Sequence, residues 1–164
     1  MPFASYYLIF KYVIIKIIGV DIVDNEYFMK KALEQAKTAY KYNDVPIGCV
    51  IVKDNIIIAY SYNRKEIDNI ATYHAELLAI NQACQRLGTW HLEECTLYTT
   101  VEPCLMCTGA ILQSRISKVV YGTSNEVFGY LSKLENSKLE VLSNVLKDEC
   151  SNILSDFFKE KRNN

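Results

Sequence analysis

The chain has 164 residues, enough for one domain with a substantial core; half are hydrophobic, and few glycines or prolines and no repeat or low-complexity tract interrupt it. A formal net charge of −1 argues against a protein held to nucleic acid by bulk electrostatics, though not against a local basic patch. The six cysteines are scattered, with one pair at motif spacing, and read as reduced thiols of an intracellular protein rather than a disulfide framework.

In chain order, residues 3–20 (FASYYLIFKYVIIKIIGV) are apolar enough to raise a membrane anchor or a signal peptide. The basic start and small-residue cleavage site of a signal peptide are missing. A spanning helix needs about 20 apolar residues, and Lys11 and Lys16 interrupt this stretch at roughly 2.5–3.5 kcal/mol each near a bilayer centre. Residues 1–23 are therefore expected to be an apolar extension or the result of a start assigned too far upstream. The single domain is expected over 24–164, with no membrane association and a cytoplasmic location.

A helix is predicted from Asp24 or Asn25, with Phe28, Ala32, Leu33, Ala36 and Tyr40 on one stripe. NDVPIG breaks it. CVIVK and NIIIAYSY, parted by Asp54 and Asn55, read as a hairpin. HAELLAINQACQRLG reads as a helix stopped by Gly88, CTLYTTV as a buried strand, CLMCTGAILQS as a third helix and KVVYG as another strand. Residues 130–142 show no clear pattern. The stretch 143–161 closes the chain as an amphipathic helix carrying Val145, Leu146, Ile153, Leu154, Phe157 and Phe158. This order describes an α/β sandwich: a central sheet, antiparallel at its first pair, with helices on both faces. A site is expected where helix N-termini meet strand C-termini.

Chemistry concentrates at two of those junctions. Cys104 and Cys107, at i and i+3 of a helix, share a face and can present both sulfurs to one ion. Such a pair is equally a redox dithiol or half of a structural zinc knot when taken alone. With His74, whose helix opens as HAE, it makes three ligands of a kind that selects zinc. Three ligands leave a position for water, whereas a structural site closes with a fourth. Glu76 stands next to that position in sequence and suits a proton shuttle. A thioredoxin-like dithiol has no use for His74 and Glu76. His91 is not needed by the metal and reads as surface.

H-x-E followed by P-C-x-x-C is the signature of base-modifying zinc deaminases, and HAE at 74–76 with PCLMC at 103–107 fits it. DVPIGCVIV, SYNRKE, HAELLAI, TLYTTVEPCLMCTGAILQSRISKVVYG and DECSNILSDFFKEKR extend the match from about residue 26 to 162. The chain resembles the bacterial tRNA-specific adenosine deaminases of the cytidine and deoxycytidylate deaminase superfamily. The closing SDFF and basic tail set it apart from cytosine, guanine and deoxycytidylate deaminases. The resemblance implies a three-layer α/β/α sandwich around a mixed five-stranded sheet. It implies one Zn2+ per subunit on His74, Cys104 and Cys107, Glu76 as proton shuttle, a tRNA anticodon arm as substrate and a homodimer. The implied reaction converts the wobble adenosine to inosine with release of ammonia.

Asn63 resembles the family asparagine that hydrogen-bonds the purine; an amide can donate to a ring nitrogen and accept from its neighbour. Lys159, Lys161 and Arg162 are candidates for the RNA backbone. Asn125 falls where the family commonly carries an aspartate near the substrate, and the 129–145 stretch is shorter than usual. The rival readings are a free-base or nucleotide deaminase on the same fold and a non-enzymatic zinc module that binds RNA. The second needs a fourth protein ligand, for which no remaining His or Cys has convincing spacing.

Overall fold

The computed structural model describes residues 24–135 and 137–163. The apolar stretch at 3–20 lies outside the described residues. Helix α1 spans Asn25–Lys41, strands β1 and β2 span Gly48–Lys53 and Ile56–Tyr62, and a one-turn helix α2 spans Lys65–Asp68. Then come α3 (Ala75–Leu87), β3 (Cys95–Val101), α4 (Leu105–Gln113), β4 (Lys118–Thr123), a 3-10 turn at Leu131–Lys133, β5 (Glu140–Leu142) and α5 (Lys147–Asn163).

The five strands lie in the order β2-β1-β3-β4-β5. β1 runs antiparallel to β2 and β3, while β3, β4 and β5 are parallel. The β1–β2 hairpin turns through Asp54 and Asn55, both at positive φ (50° and 59°). That pairing of left-handed residues matches the right-handed twist of the strands, and Asp and Asn tolerate it better than other side chains.

Side-chain alternation along the strands builds two cores. Cys49 and Ile51 of β1, Leu97 of β3, and Val119 and Tyr121 of β4 pack with Ala75, Ala79, Ile80 and Ala83 of α3 and Ile111 of α4. Val50, Val52, Tyr98 and Val120 point the other way, onto Phe28, Met29, Ala32 and Leu33 of α1 and Cys150 of α5. The result is the three-layer sandwich with a mixed five-stranded sheet that the motifs implied. Asp24 caps α1 by accepting from Tyr27 N at 2.9 Å. Gly88 ends α3 at φ 66°.

Three details differ from the sequence reading. Tyr40 lies at the rim of the α1 core, its ring 5.4 Å from that of Phe157, and Ala39 takes the buried place. The last helix begins at Lys147 rather than 143, because Asn144 and Leu146 adopt positive φ (65° and 51°). Val145 and Leu146 still pack on the α1 core, from the loop. The patternless stretch holds the 3-10 turn and the short edge strand β5, whose three residues are all exposed. Among the described residues no helix is long and apolar enough to cross a membrane.

Gly48 marks the closest approach of α1 to the sheet. A Cβ there would strike the backbone oxygen of Ala32 and the backbone nitrogen of Ala36. Backbone cannot step aside as a side chain can. Gly48→Ala should therefore cost about 1–3 kcal/mol or more, read as a lower urea midpoint at unchanged slope.

Candidate functional site

His74 and Cys104 occupy equivalent places, each immediately before the first residue of a helix, α3 or α4. Both have extended backbone (ψ 148° and 173°), and neither side chain caps its own helix. Their side chains turn toward one another instead. His74 Nδ1 lies 3.7 Å from Cys104 Sγ and 3.5 Å from Cys107 Sγ, and the three donor atoms fall within 4.8 Å of one another. A tetrahedral zinc with ordinary bond lengths sets nitrogen and sulfur ligands about 3.6 Å apart, so the separations fit such an ion. Among the described residues the group has three members.

Cys107 is fully buried, while His74 and Cys104 are half-buried. The Cys107 hydrogen bond and the His74 ring push the Cys104 thiol down to about 4, the thiolate form that a metal takes. The same contact with Cys104, together with burial, pushes Cys107 up. Glu76, the second residue of α3, is 3% exposed, and its Oε2 has no hydrogen-bond partner among the described residues. Burial raises its pKa, opposed in part by the His74 charge. A carboxylate oxygen buried without a protein partner beside a three-donor group fits an acid placed next to a metal site.

Asn63 ends β2. Arg64 N donates to Tyr73 O at 2.9 Å, which draws Asn63 alongside the residues leading to His74. Its Nδ2 donates to Asp44 Oδ1 at 2.7 Å. Asp44 is fully buried and also accepts from the backbone nitrogens of Val45, Glu66 and Ile67 at 2.8, 2.8 and 3.1 Å.

Glu102, directly after β3, is a third buried carboxylate. It accepts from Asn125 N at 3.2 Å and Ser132 N at 2.8 Å. A Cβ on Gly129 would strike its carboxylate, so the loop rests directly on it. The loop also pairs with the cysteine segment, through a bridge between Cys104 and Gly129 and a bond from Tyr130 N to Pro103 O. Asn125 lies in this loop, and its Oδ1 accepts from Phe128 N at 3.0 Å, closing the turn.

Lys159 and Arg162 line a groove of about 360 Å³ with Thr123 and Ser124 at the end of β4, next to Asn125. Lys161 faces elsewhere, its ammonium 5.5 Å over the Phe157 ring. His91 is on the surface, 3.3 Å from Glu93. A groove of about 1100 Å³ runs between α1 and α5 on the other face of the sheet and is lined by none of His74, Cys104 and Cys107.

Residues 23–162 match the family model described as MafB19-like deaminase. The tRNA-specific adenosine deaminase of Bacillus subtilis (strain 168) is 43% identical over 149 residues, covering 86% of this chain and 92% of that protein. The chain belongs to the tRNA-specific adenosine deaminase family. A solved structure from studies of A-to-I editing by tRNA:A34 deaminases is similar to this deaminase at TM-score 0.74 and 36% identity, over 78% of this chain and 99% of that one. The guanine deaminase of Bacillus subtilis is similar at TM-score 0.61 and 36% identity, over 70% and 78% of the two chains.

Two residues of the deaminase site escaped sequence reasoning. Asp44 in NDVPIG reads as part of a helix breaker and of a matched string, and Glu102 in VEPC as part of a matched string. A lone acid inside an otherwise apolar stretch was the available signal, since such a group is rarely buried without a set of donors. Removing Glu102 tests its part. Glu102→Ala should speed hydrogen–deuterium exchange at the Asn125 and Ser132 amides about tenfold or more, the scale of a hydrogen bond to a charged group, while β3 amides keep their protection.

Proposed function

We propose that this deaminase hydrolyses the 6-amino group of the wobble adenosine in a tRNA anticodon, giving inosine and ammonia. The observation that carries the reading is the buried, unpartnered Glu76 oxygen beside the three-donor group. The relatives' names supply the substrate class.

His74, Cys104 and Cys107 would hold one zinc ion per chain. Zinc bound there supplies Lewis-acid activation of water. Glu76 accepts the proton that water loses on attacking C6 and delivers it to the neighbouring ring nitrogen. It then takes the proton of the new C6 hydroxyl and passes it to the amine, so that ammonia leaves as the 6-oxo group forms. Asn63 holds the base edge by hydrogen bonds, and burial at the end of β2 excludes water from that contact. The adenosine enters splayed from its loop, since a stacked base cannot reach a recessed site. Asn125 sits at the rim, while Lys159 and Arg162 in their groove, and Lys161 beyond it, meet the RNA backbone.

Exposed Leu105 and Leu112, one face of α4 beside the ligands, offer an apolar surface for a second copy in a homodimer. The deaminase domain is taken as residues 24–164, working in the cytoplasm where tRNA is used. The likeness to a guanine deaminase favours one other reading, deamination of a free base.

The deciding experiment incubates zinc-loaded protein with an anticodon stem-loop and, separately, with guanine. Adenosine-to-inosine conversion without loss of guanine is expected; the reverse result would replace this reading with the second. Glu76→Ala should keep its zinc and lose turnover by about 10²–10⁴-fold or more, because a shuttle acts in the transition state. Zinc loss in that variant would make Glu76 a ligand instead. Cys107→Ala should lose most of its zinc by metal analysis, and full occupancy would show the ligand set to be wrong.

A further inference from the structure

Asp44 has an unusual set of partners for a fully buried acid. Its four hydrogen bonds all come from N–H groups: Val45 N and Asn63 Nδ2 on one oxygen, Glu66 N and Ile67 N on the other. The last two are amides of the first turn of α2, whose own cap residue, Arg64, makes no side-chain capping bond. Asp44 caps that turn from across the chain and grips Asn63 with its other oxygen.

That grip has a chemical consequence. An ionised carboxylate only accepts hydrogen bonds, so Asn63 must turn its NH2 toward Asp44 and its oxygen away. The backbone around Asn63 is held as well, with its N–H on Ile47 O at 2.9 Å, so the amide group cannot reorient by moving the strand end. Adenine offers an N–H donor at position 6 beside a ring-nitrogen acceptor, and inosine offers an oxygen at position 6. The two faces of a flipped amide discriminate between them.

We propose that Asp44 is a positioning residue that sets the polarity of the Asn63 amide, presenting its oxygen to the 6-amino group and so favouring adenosine over the inosine product. The proposal rests on the reading of Asn63 as the residue that contacts the base. Asp44→Asn keeps the shape and reverses one polarity. The introduced amide keeps its oxygen on the Glu66 and Ile67 amides, two donors that need an acceptor, and its NH2 falls where Asp44 Oδ1 was, giving up the single bond from Val45 N. Asn63 then turns its oxygen inward and its NH2 toward the base, where it suits a 6-oxo purine.

Binding is measured by fluorescence anisotropy with anticodon stem-loops carrying adenosine or inosine at the wobble position. Both proteins carry Glu76→Ala, so that neither loop is converted. Adding Asp44→Asn should shift the adenosine-to-inosine affinity ratio toward inosine by about tenfold or more, the effect of exchanging one hydrogen bond for a mismatch. Loss of fold or of loop order weakens both loops alike and leaves the ratio where it was. An unchanged ratio in a folded, zinc-loaded variant overturns the proposal. Where Asp44→Asn fails to fold, the Asn63 side-chain amide is followed by NMR in the Glu76→Ala chain. One slowly exchanging proton, kept in both complexes, is expected, and two rapidly exchanging protons overturn the proposal. Failure of the unmutated enzyme to deaminate the adenosine loop would instead count against the proposed function, which separates the two.

Discussion

The site depends on two helices that start at the same edge of one sheet. α3 and α4 lie on the same face, and the residues just before their first turns, His74 and Cys104, are therefore brought together from 30 positions apart. What allows the approach on the α3 side is a run of small side chains. Ala75, Ala79 and Ala83 are each fully buried, so the helix backbone packs close against the strands. Helix N-termini also favour negative charge, which suits the Cys104 thiolate at one start and Glu76 at the other. Parallel β3 and β4, joined through α4, fix where the second start can be.

Two buried carboxylates then shape the loops around that centre. Asp44 and Glu102 are each buried and each satisfied largely by backbone N–H groups rather than by cations. An acid used this way stabilises a loop by gathering donors that irregular backbone would otherwise leave without partners. Asp44 organises the connection from β2 to α3, and Glu102 organises the loop that leans on the cysteine segment. The metal-type donors thus lie between two polar anchors that belong to neither helix.

Much of the fold was legible because its signals are local. The alanine-rich spacing of α3, the β-branched strands and the Asp54–Asn55 turn each declare themselves within a few residues. β5 did not, because a three-residue edge strand with every side chain exposed has no face to pattern. The start of α5 was misplaced because apolar residues at Val145 and Leu146 continue the helical stripe while the backbone at Asn144 and Leu146 turns left-handed. In the site, the HAE and PCLMC spacings are short-range signals, and the donors they name converge. Three of the four partners of Asp44 lie 19 to 23 residues away, and no periodicity reports a contact of that kind. For Asn125 the sequence named a position near the substrate, and the structure adds that its side chain oxygen already serves its own turn.

The alternation along β1, β3 and β4 also makes the sheet a partition. Among the described residues, the core under α1 and α5 shares no side chain with the core under α3 and α4. Helix layers on opposite faces of a sheet stand about 10 Å from it on either side, and changes that far apart combine nearly additively. Substitutions in the α1–α5 layer can therefore accumulate or be selected for stability with little epistasis toward the metal-type donors. Away from Lys159, Lys161 and Arg162, the outer surface of the molecule on that side is free to diverge between relatives while the chemistry on the other side stays the same.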